Sequence, residues 1–216
     1  TVAAVESALA AAPAGCDPLD TRHCYLPYPS NYHAVADDYS ITGIRVRFPQ
    51  EGAPVNASGV PIDMAEWNRN DGFSPNSSIL VHIADVDPEA SHLPKWTDLG
   101  ASLDDDATVV LIDRDTGERF PLWAEPDVNS DGSPIPPEDQ TITVHPAVAL
   151  PEGRTYVVAL RGLVDTRGEP IEAGPVFRVY RDGLTTEIPE IEGRRPAMAA
   201  NLAALEAAGI ATDDLY

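Results

Sequence analysis

The stretch that decides the fold is residues 145–177, HPAVALPEGRTYVVALRGLVDTRGEPIEAGPVF. Within it, residues 156–160 (YVVAL) are apolar on both faces of an alternating pattern, which is typical of a strand well inside a sheet. Turn sequences lie on either side, PEG at 151–153 and DTRG at 165–168. The alternation returns at 176–180, so the stretch predicts two antiparallel strands joined by a loop.

Other segments of the chain show the same period of two. They are separated by turns rich in Gly, Pro and Asp, and no helical pattern lies between them. The alternating segments are 41–48, 79–83, 108–113, 118–125 and 140–145. Only the end of the chain differs: Pro196, Leu202, Leu205 and Gly209 have the spacing of one amphipathic helix. The pattern predicts an all-β sandwich with one C-terminal helix.

The chain divides by composition into three parts. Residues 1–40 contain both cysteines and prolines at 27 and 29, so an extended segment is expected there. Residues 41–190 contain the alternating segments and form the predicted sandwich. Residues 191–216 are predicted to form a linker and helix leading to a missing downstream domain.

The charge balance excludes some partners. The chain has 216 residues, with 35 acidic against 14 basic residues and a formal net charge of −21. Such a surface repels nucleic acid and disfavours an anionic membrane. No run of apolar residues is long enough to span a bilayer.

Cys16 and Cys24 are the two cysteines of the chain. Two close cysteines in a Pro-rich chain most simply form a disulfide, which predicts an oxidising compartment and therefore export to the cell surface or beyond. The alternative is a metal site that uses Cys16, His23 and Cys24, although their spacing matches no CxxC pair.

Residues 127–138 (DVNSDGSPIPPE) match the pattern D-x-N-x-D-G-x5-E of calcium-binding loops. Oxygen ligands are expected from Asp127, Asn129, Asp131, the Ser133 carbonyl and Glu138, with Gly132 allowing the sharp turn. Three prolines and the lack of flanking helices exclude an EF-hand. The alternatives are a calcium loop between strands and a simple acidic hairpin connection.

No catalytic residues are predicted. The chain has no G-x-S-x-G motif, so the nucleophile elbow of an α/β-hydrolase is absent from it. Ser74 lacks a strand–turn–helix context. His82 and His145 fall in predicted strands and are expected to be satisfied sheet residues.

Two resemblances bear on fold and function. The pattern of Gly, Tyr and apolar residues over 146–171 resembles the immunoglobulin-like domains of bacterial surface and secreted proteins, which implies a sandwich but no particular function. Residues 26–31 (LPYPSN) and 70–74 (NDGFS), followed by the segment at 79–83, resemble the region that precedes the α/β-hydrolase domain of secreted bacterial lipases. The lipase elements differ in detail, since Tyr28 stands where Phe is usual.

These resemblances predict a non-catalytic, immunoglobulin-like module of an exported bacterial protein, N-terminal to a lipase- or esterase-like hydrolase domain. The alternative is a free-standing adhesion or carbohydrate-binding module, with Trp67, Trp96 and Trp123 as stacking platforms for a glycan. A third hypothesis is that the chain is itself an esterase.

Overall fold

The computed structural model describes residues 2–130 and 132–216. The strands, in chain order, are β1 (Ala34–Ala36), β2 (Ile44–Val46), β3 (Ile79–His82), β4 (Val109–Asp113), β5 (Leu122–Pro126), β6 (Asn129–Ser130), β7 (Ser133–Pro134), β8 (Thr141–Pro146) and β9 (Tyr156–Leu160). The α-helices are α1 (Val2–Ala11), α2 (Pro175–Arg181) and α3 (Pro189–Ala207). Short 3₁₀ helices occur at Asn31–His33, Gln50–Gly52, Trp67–Arg69, Leu99–Leu103 and Pro137–Asp139.

The strands form small antiparallel sheets. The largest has the order β3–β8–β5, and Val144 of β8 pairs with Ile79 of β3 on one side and with Ala124 of β5 on the other. The other sheets are the pairs β4–β9, β1–β2 and β6–β7. The N-terminal segment extends the edge of β3, because Tyr28 exchanges backbone hydrogen bonds with Leu80 at 2.9 and 2.6 Å.

The β4–β9 pair lies between the three-stranded sheet and the helices. Val109 and Leu111 of β4 pack in the same cluster as Val144 of the three-stranded sheet. Val110 and Ile112, on the opposite face, share a cluster with residues at the C-terminal end of the chain, from Leu205 of α3 onward. Burial on both faces explains why the residues at 109–112 of β4 are all apolar.

The prediction of an all-β immunoglobulin-like sandwich is wrong, because the protein is a small mixed α/β fold. Residues 176–180, predicted as a strand, lie in α2. Pro175 suits the first helical turn, where a backbone N–H has no intrahelical partner. Val176, Val179 and Tyr180 are buried at helical spacing. A five-residue apolar pattern fits both periods, so the sequence alone did not separate them.

The helices also differ from the sequence prediction of one C-terminal helix. α3 begins at Pro189, and Pro196 lies inside it. α1 occupies the start of the chain, where an extended segment was expected. Val5 of α1 is completely buried in a cluster that includes Val176, Val179 and Ile191 of the other two helices. Ala8 and Leu9 of α1 are partly buried and pack against the same cluster. No helix among the described residues has the length and apolarity needed to cross a membrane.

Candidate metal centre

A disulfide joins Cys16 and Cys24, as predicted from the sequence. The bond closes a short ring over residues 17–23. Asp17 of this ring is fully buried and accepts two hydrogen bonds from the Arg194 guanidinium of α3, at 2.7 and 3.0 Å. The Tyr32 hydroxyl donates to the Cys16 carbonyl at 3.1 Å. The ring is therefore fixed to the helical layer, and its two sulfurs do not serve as thiolate ligands.

Three potential metal ligands meet beside the disulfide ring: Asp20 and His23 from the ring and His82 from the end of β3. Asp20 Oδ2 lies 3.1 Å from His23 Nδ1 and 3.9 Å from His82 Nδ1. All three ligand atoms lie within 4.8 Å of one another. The Asp20 and His82 side chains are each 8% exposed, whereas that of His23 is 40% exposed. The cluster is thus half-enclosed, with His23 on the solvent side.

Backbone groups hold the Asp20 carboxylate in place. Asp20 Oδ1 accepts hydrogen bonds from the backbone N–H groups of Arg22 at 2.8 Å and of His23 at 3.0 Å. This local turn is typical of Asp in a tight loop. Because Oδ1 is occupied by these two donors, Oδ2 is the oxygen that faces both imidazoles.

The His82 ring is held from its other side. His82 Nε2 lies 3.0 Å from the carbonyl oxygen of Glu138, which also accepts a hydrogen bond from Arg22 Nη1 at 2.9 Å. Arg22 is in addition ion-paired with Asp139. A carbonyl oxygen can only accept, so Nε2 carries the proton in this contact. The rings of His23 and His82 lie 4.7 Å apart, centroid to centroid.

Tyr216 is a titratable group within electrostatic range of Asp20. Its pKa is raised mainly by burial, with a further contribution from the negative charge of Asp20. The end of the described chain therefore lies close to the disulfide ring.

Sequence reasoning missed this cluster and predicted His82 as a satisfied sheet residue. His82 lies far along the chain from Asp20 and His23, and only the pairing of the N-terminal segment with β3 brings them together. The Asp-x-x-His spacing inside a disulfide ring was the one local signal. The alternative metal site of Cys16, His23 and Cys24 is wrong, because both sulfurs are bonded in the disulfide.

Within the predicted calcium loop, the described residues of β6 and β7 pair antiparallel. Asn129 pairs with Pro134 across β6 and β7, and the backbone N–H of Asn129 lies 3.4 Å from Asp127 Oδ1. Ser133 is part of β7, and Glu138 lies exposed in a 3₁₀ helix. Asp131, the central predicted ligand, lies outside the described residues. Paired strands are also what the alternative of an acidic hairpin connection predicts.

A second group of polar side chains lies on the face of the three-stranded sheet. Ser78 Oγ is 3.3 Å from His145 Nδ1, and His145 Nε2 is 3.4 Å from Glu125 Oε1. The His145 ring stacks on Trp123 with centroids 4.6 Å apart and ring planes 12° apart. Trp123 and His145 are direct cross-strand partners, and Glu125 pairs with the residue two before His145. Cross-strand pairing alone accounts for most of this proximity.

The other two tryptophans lie on the surface, Trp67 being 51% and Trp96 70% exposed.

Comparison of the chain with protein-family models, with curated proteins and with solved structures gives no match. The functional proposals below therefore depend on the residues and their geometry, together with the sequence resemblance to the lipase region.

Proposed function

We propose that this chain is a non-catalytic module of an exported bacterial protein and that it supports a lipase- or esterase-like hydrolase domain of the same polypeptide. The observation that carries the proposal is the location of the two lipase-region elements. Tyr28 of the first and Phe73 of the second make an edge-to-face contact with ring centroids 5.8 Å apart, and both pack around Phe48. These elements build a local core.

The hydrogen bonds of the second element support the same assignment. Ser74, its only hydroxyl residue, accepts a hydrogen bond at 3.3 Å from the backbone N–H of Asn76 in a turn. Asn70 binds backbone on both sides: its carbonyl accepts from the Val46 N–H at 2.9 Å, and its side chain donates to the Trp67 carbonyl at 3.0 Å. Each polar group thus holds a loop in place, which is a structural role.

Export is supported by the disulfide between Cys16 and Cys24. Disulfides persist in oxidising compartments and are rare in reducing ones. The proposed locations are the cell surface and the extracellular medium. The proposed partner is the hydrolase domain, and the net charge of −21 argues against nucleic acid as a further partner.

The test uses the complete gene product. Phe73→Ala should lower the yield of folded, secreted enzyme, because it opens a cavity in the cluster that supports both elements. The turnover number per folded molecule should stay unchanged. Tyr39→Ala is the matched control, since the Tyr39 ring is almost fully exposed and its loss should change neither quantity. A Phe73→Ala enzyme that is secreted normally but has lost turnover would contradict the proposal, as would a gene that encodes no hydrolase domain.

One observation favours a second candidate function, that of an esterase. Ser78, His145 and Glu125 form a chain of the residue types that perform nucleophilic acyl transfer. Against it, Glu125 is largely exposed and His145 is stacked on Trp123, so neither group is oriented as a buried triad requires. Loss of ester hydrolysis in Ser78→Ala would support this candidate over the first.

The free-standing carbohydrate-binding module is a third candidate, and the exposed rings of Trp67 and Trp96 are the observation that favours it. Binding to a glycan array that disappears in Trp96→Ala would support it. An array without binding would remove it.

A further inference from the structure

We propose that Asp20, His23 and His82 bind a divalent transition-metal ion of the zinc class. One carboxylate oxygen and two imidazole nitrogens are ligands that Zn²⁺, Co²⁺ and Ni²⁺ prefer, whereas Ca²⁺ and Mg²⁺ prefer oxygen alone. The site shares no residue with the cluster of Tyr28, Phe48 and Phe73 or with the group of Ser78, His145 and Glu125. It therefore stands independently of the supporting role proposed for the chain.

The arrangement of donors and acceptors calls for a cation. Because the N–H of His82 Nε2 is directed at the Glu138 carbonyl, Nδ1 of the neutral ring carries a lone pair. That lone pair faces Asp20 Oδ2 at 3.9 Å, and Oδ2 is itself only an acceptor. A cation between these two acceptors would bind both, and His23 Nδ1, which lies 3.1 Å from Oδ2, would be its third ligand.

Because Nε2 contacts the Glu138 carbonyl, Nδ1 is the ring nitrogen left for a metal ion, which binds the neutral imidazole. The carbonyl that holds Nε2 is the kind of outer partner that metal-bound histidines commonly have, because it fixes the tautomer and the ring orientation.

Two of the three ligand–ligand distances are close to those of a tetrahedral ion, and the third is within 4.8 Å. With metal–ligand bonds of about 2.1 Å, neighbouring ligand atoms should lie about 3.4 Å apart. The two distances from Asp20 Oδ2, 3.1 and 3.9 Å, lie on either side of this value. His23 is the partly exposed ligand and provides the entry path. Three protein ligands leave the fourth position to water.

The site is pre-organised by its surroundings. Two backbone N–H groups orient Asp20, and the disulfide ring limits the movement of Asp20 relative to His23. The ring is in turn anchored by the buried pair of Asp17 and Arg194. Little conformational entropy remains to be lost when an ion binds, which favours affinity.

The experiment titrates the untagged, chelator-treated chain with Zn²⁺ by calorimetry, and with Co²⁺ while the visible d–d absorption is followed. One ion per chain and a Co²⁺ spectrum of tetrahedral type are expected, with no competition from excess Ca²⁺. Asp20→Asn and His82→Gln should each weaken Zn²⁺ binding at least about tenfold. The control is His92→Asn, because His92 is exposed and Asn tolerates its φ of 50°.

Two results would overturn the proposal: absence of saturable Zn²⁺ binding by the wild-type chain, and wild-type affinity in His82→Gln. His23→Gln tests the site in a variant that is expected to fold normally. His23 is the most exposed ligand, so its replacement should leave the melting temperature in chelator unchanged. This variant should still lose affinity for Zn²⁺. Unchanged affinity in His23→Gln would show that any bound ion uses other ligands.

Discussion

Replacing Arg194 with Met should destabilise the protein strongly. Asp17 is completely buried, and Arg194 contributes two of the hydrogen bonds to its carboxylate. The third comes from the backbone N–H of Leu19 at 3.0 Å. Arg194 also lies over the Tyr32 ring, with its guanidinium carbon 5.0 Å from the ring centroid. Methionine keeps the apolar stem but removes the charge and both hydrogen bonds.

The expected cost follows from the charge left behind. Breaking a buried ion pair by removing one partner typically costs about 3–5 kcal/mol, because the remaining charge is uncompensated. The lost contact with Tyr32 adds about 0.5–1 kcal/mol at most. We expect the free energy of unfolding to fall by about 3–5 kcal/mol. The double variant Asp17→Asn with Arg194→Met should be less destabilised than Arg194→Met alone, because no unpaired charge is then buried at this position.

Urea unfolding at pH 7 measures this cost, provided that the slope with denaturant is unchanged. Arg69→Met is the matched control, because its ion pair with Glu66 also has a contact of 3.0 Å but both side chains are more than three-quarters exposed. Exposed pairs contribute about 0–1 kcal/mol. If Arg194→Met costs no more than Arg69→Met, the disulfide ring is not anchored to α3 through this pair.

Three further predictions concern the rest of the chain. If the loop at 127–138 binds calcium, Ca²⁺ should raise the melting temperature. Asp127→Ala should abolish this effect, whereas Asp105→Ala should not. A melting temperature that changes with neither Ca²⁺ nor chelator would leave the hairpin alternative. Hydrogen bonds from Arg195 and Thr186 lower the pKa of Glu192 from its ordinary 4.5 to about 2, so its contribution to stability is present above pH 4.5 and is lost as the pH falls towards 2. Glu192→Gln should therefore flatten the dependence of melting temperature on pH in that range, and an unchanged profile would contradict the assignment. Replacing the disulfide by two serines should cost about 2.5 kcal/mol by loop entropy, measured by urea unfolding; no change in stability would mean that the ring is held by other contacts.

The sequence predicted several strands correctly, because tertiary contacts there agree with the local pattern. Residues 156–160 form β9, and 79–83 and 140–145 overlap β3 and β8. The fold class was wrong because the helical residues were misassigned. Residues 176–180 of α2 (VFRVY) are mostly apolar, which fits a short strand, and Val176, Val179 and Tyr180 also have the helical i, i+3, i+4 spacing. Burial against α1 and α3 favours the helix.

The sequence alone could indicate one of the two candidate sites but not the other. The loop at 127–138 is contiguous, so its ligand pattern is readable, although its backbone geometry is not. The cluster of Asp20, His23 and His82 depends on a contact between segments far apart in the chain. No local pattern encodes that contact, since it arises from the pairing of Tyr28 with the edge of β3.

The most direct test of a supporting, non-catalytic role is ester hydrolysis by the isolated chain. The purified 216 residues are assayed with p-nitrophenyl butyrate, both after chelator treatment and with added Zn²⁺, and Ser78→Ala is measured beside them. All samples are expected to hydrolyse the ester at the rate of the buffer. Saturable turnover that is lost in Ser78→Ala, at an unchanged melting temperature, would contradict the non-catalytic role.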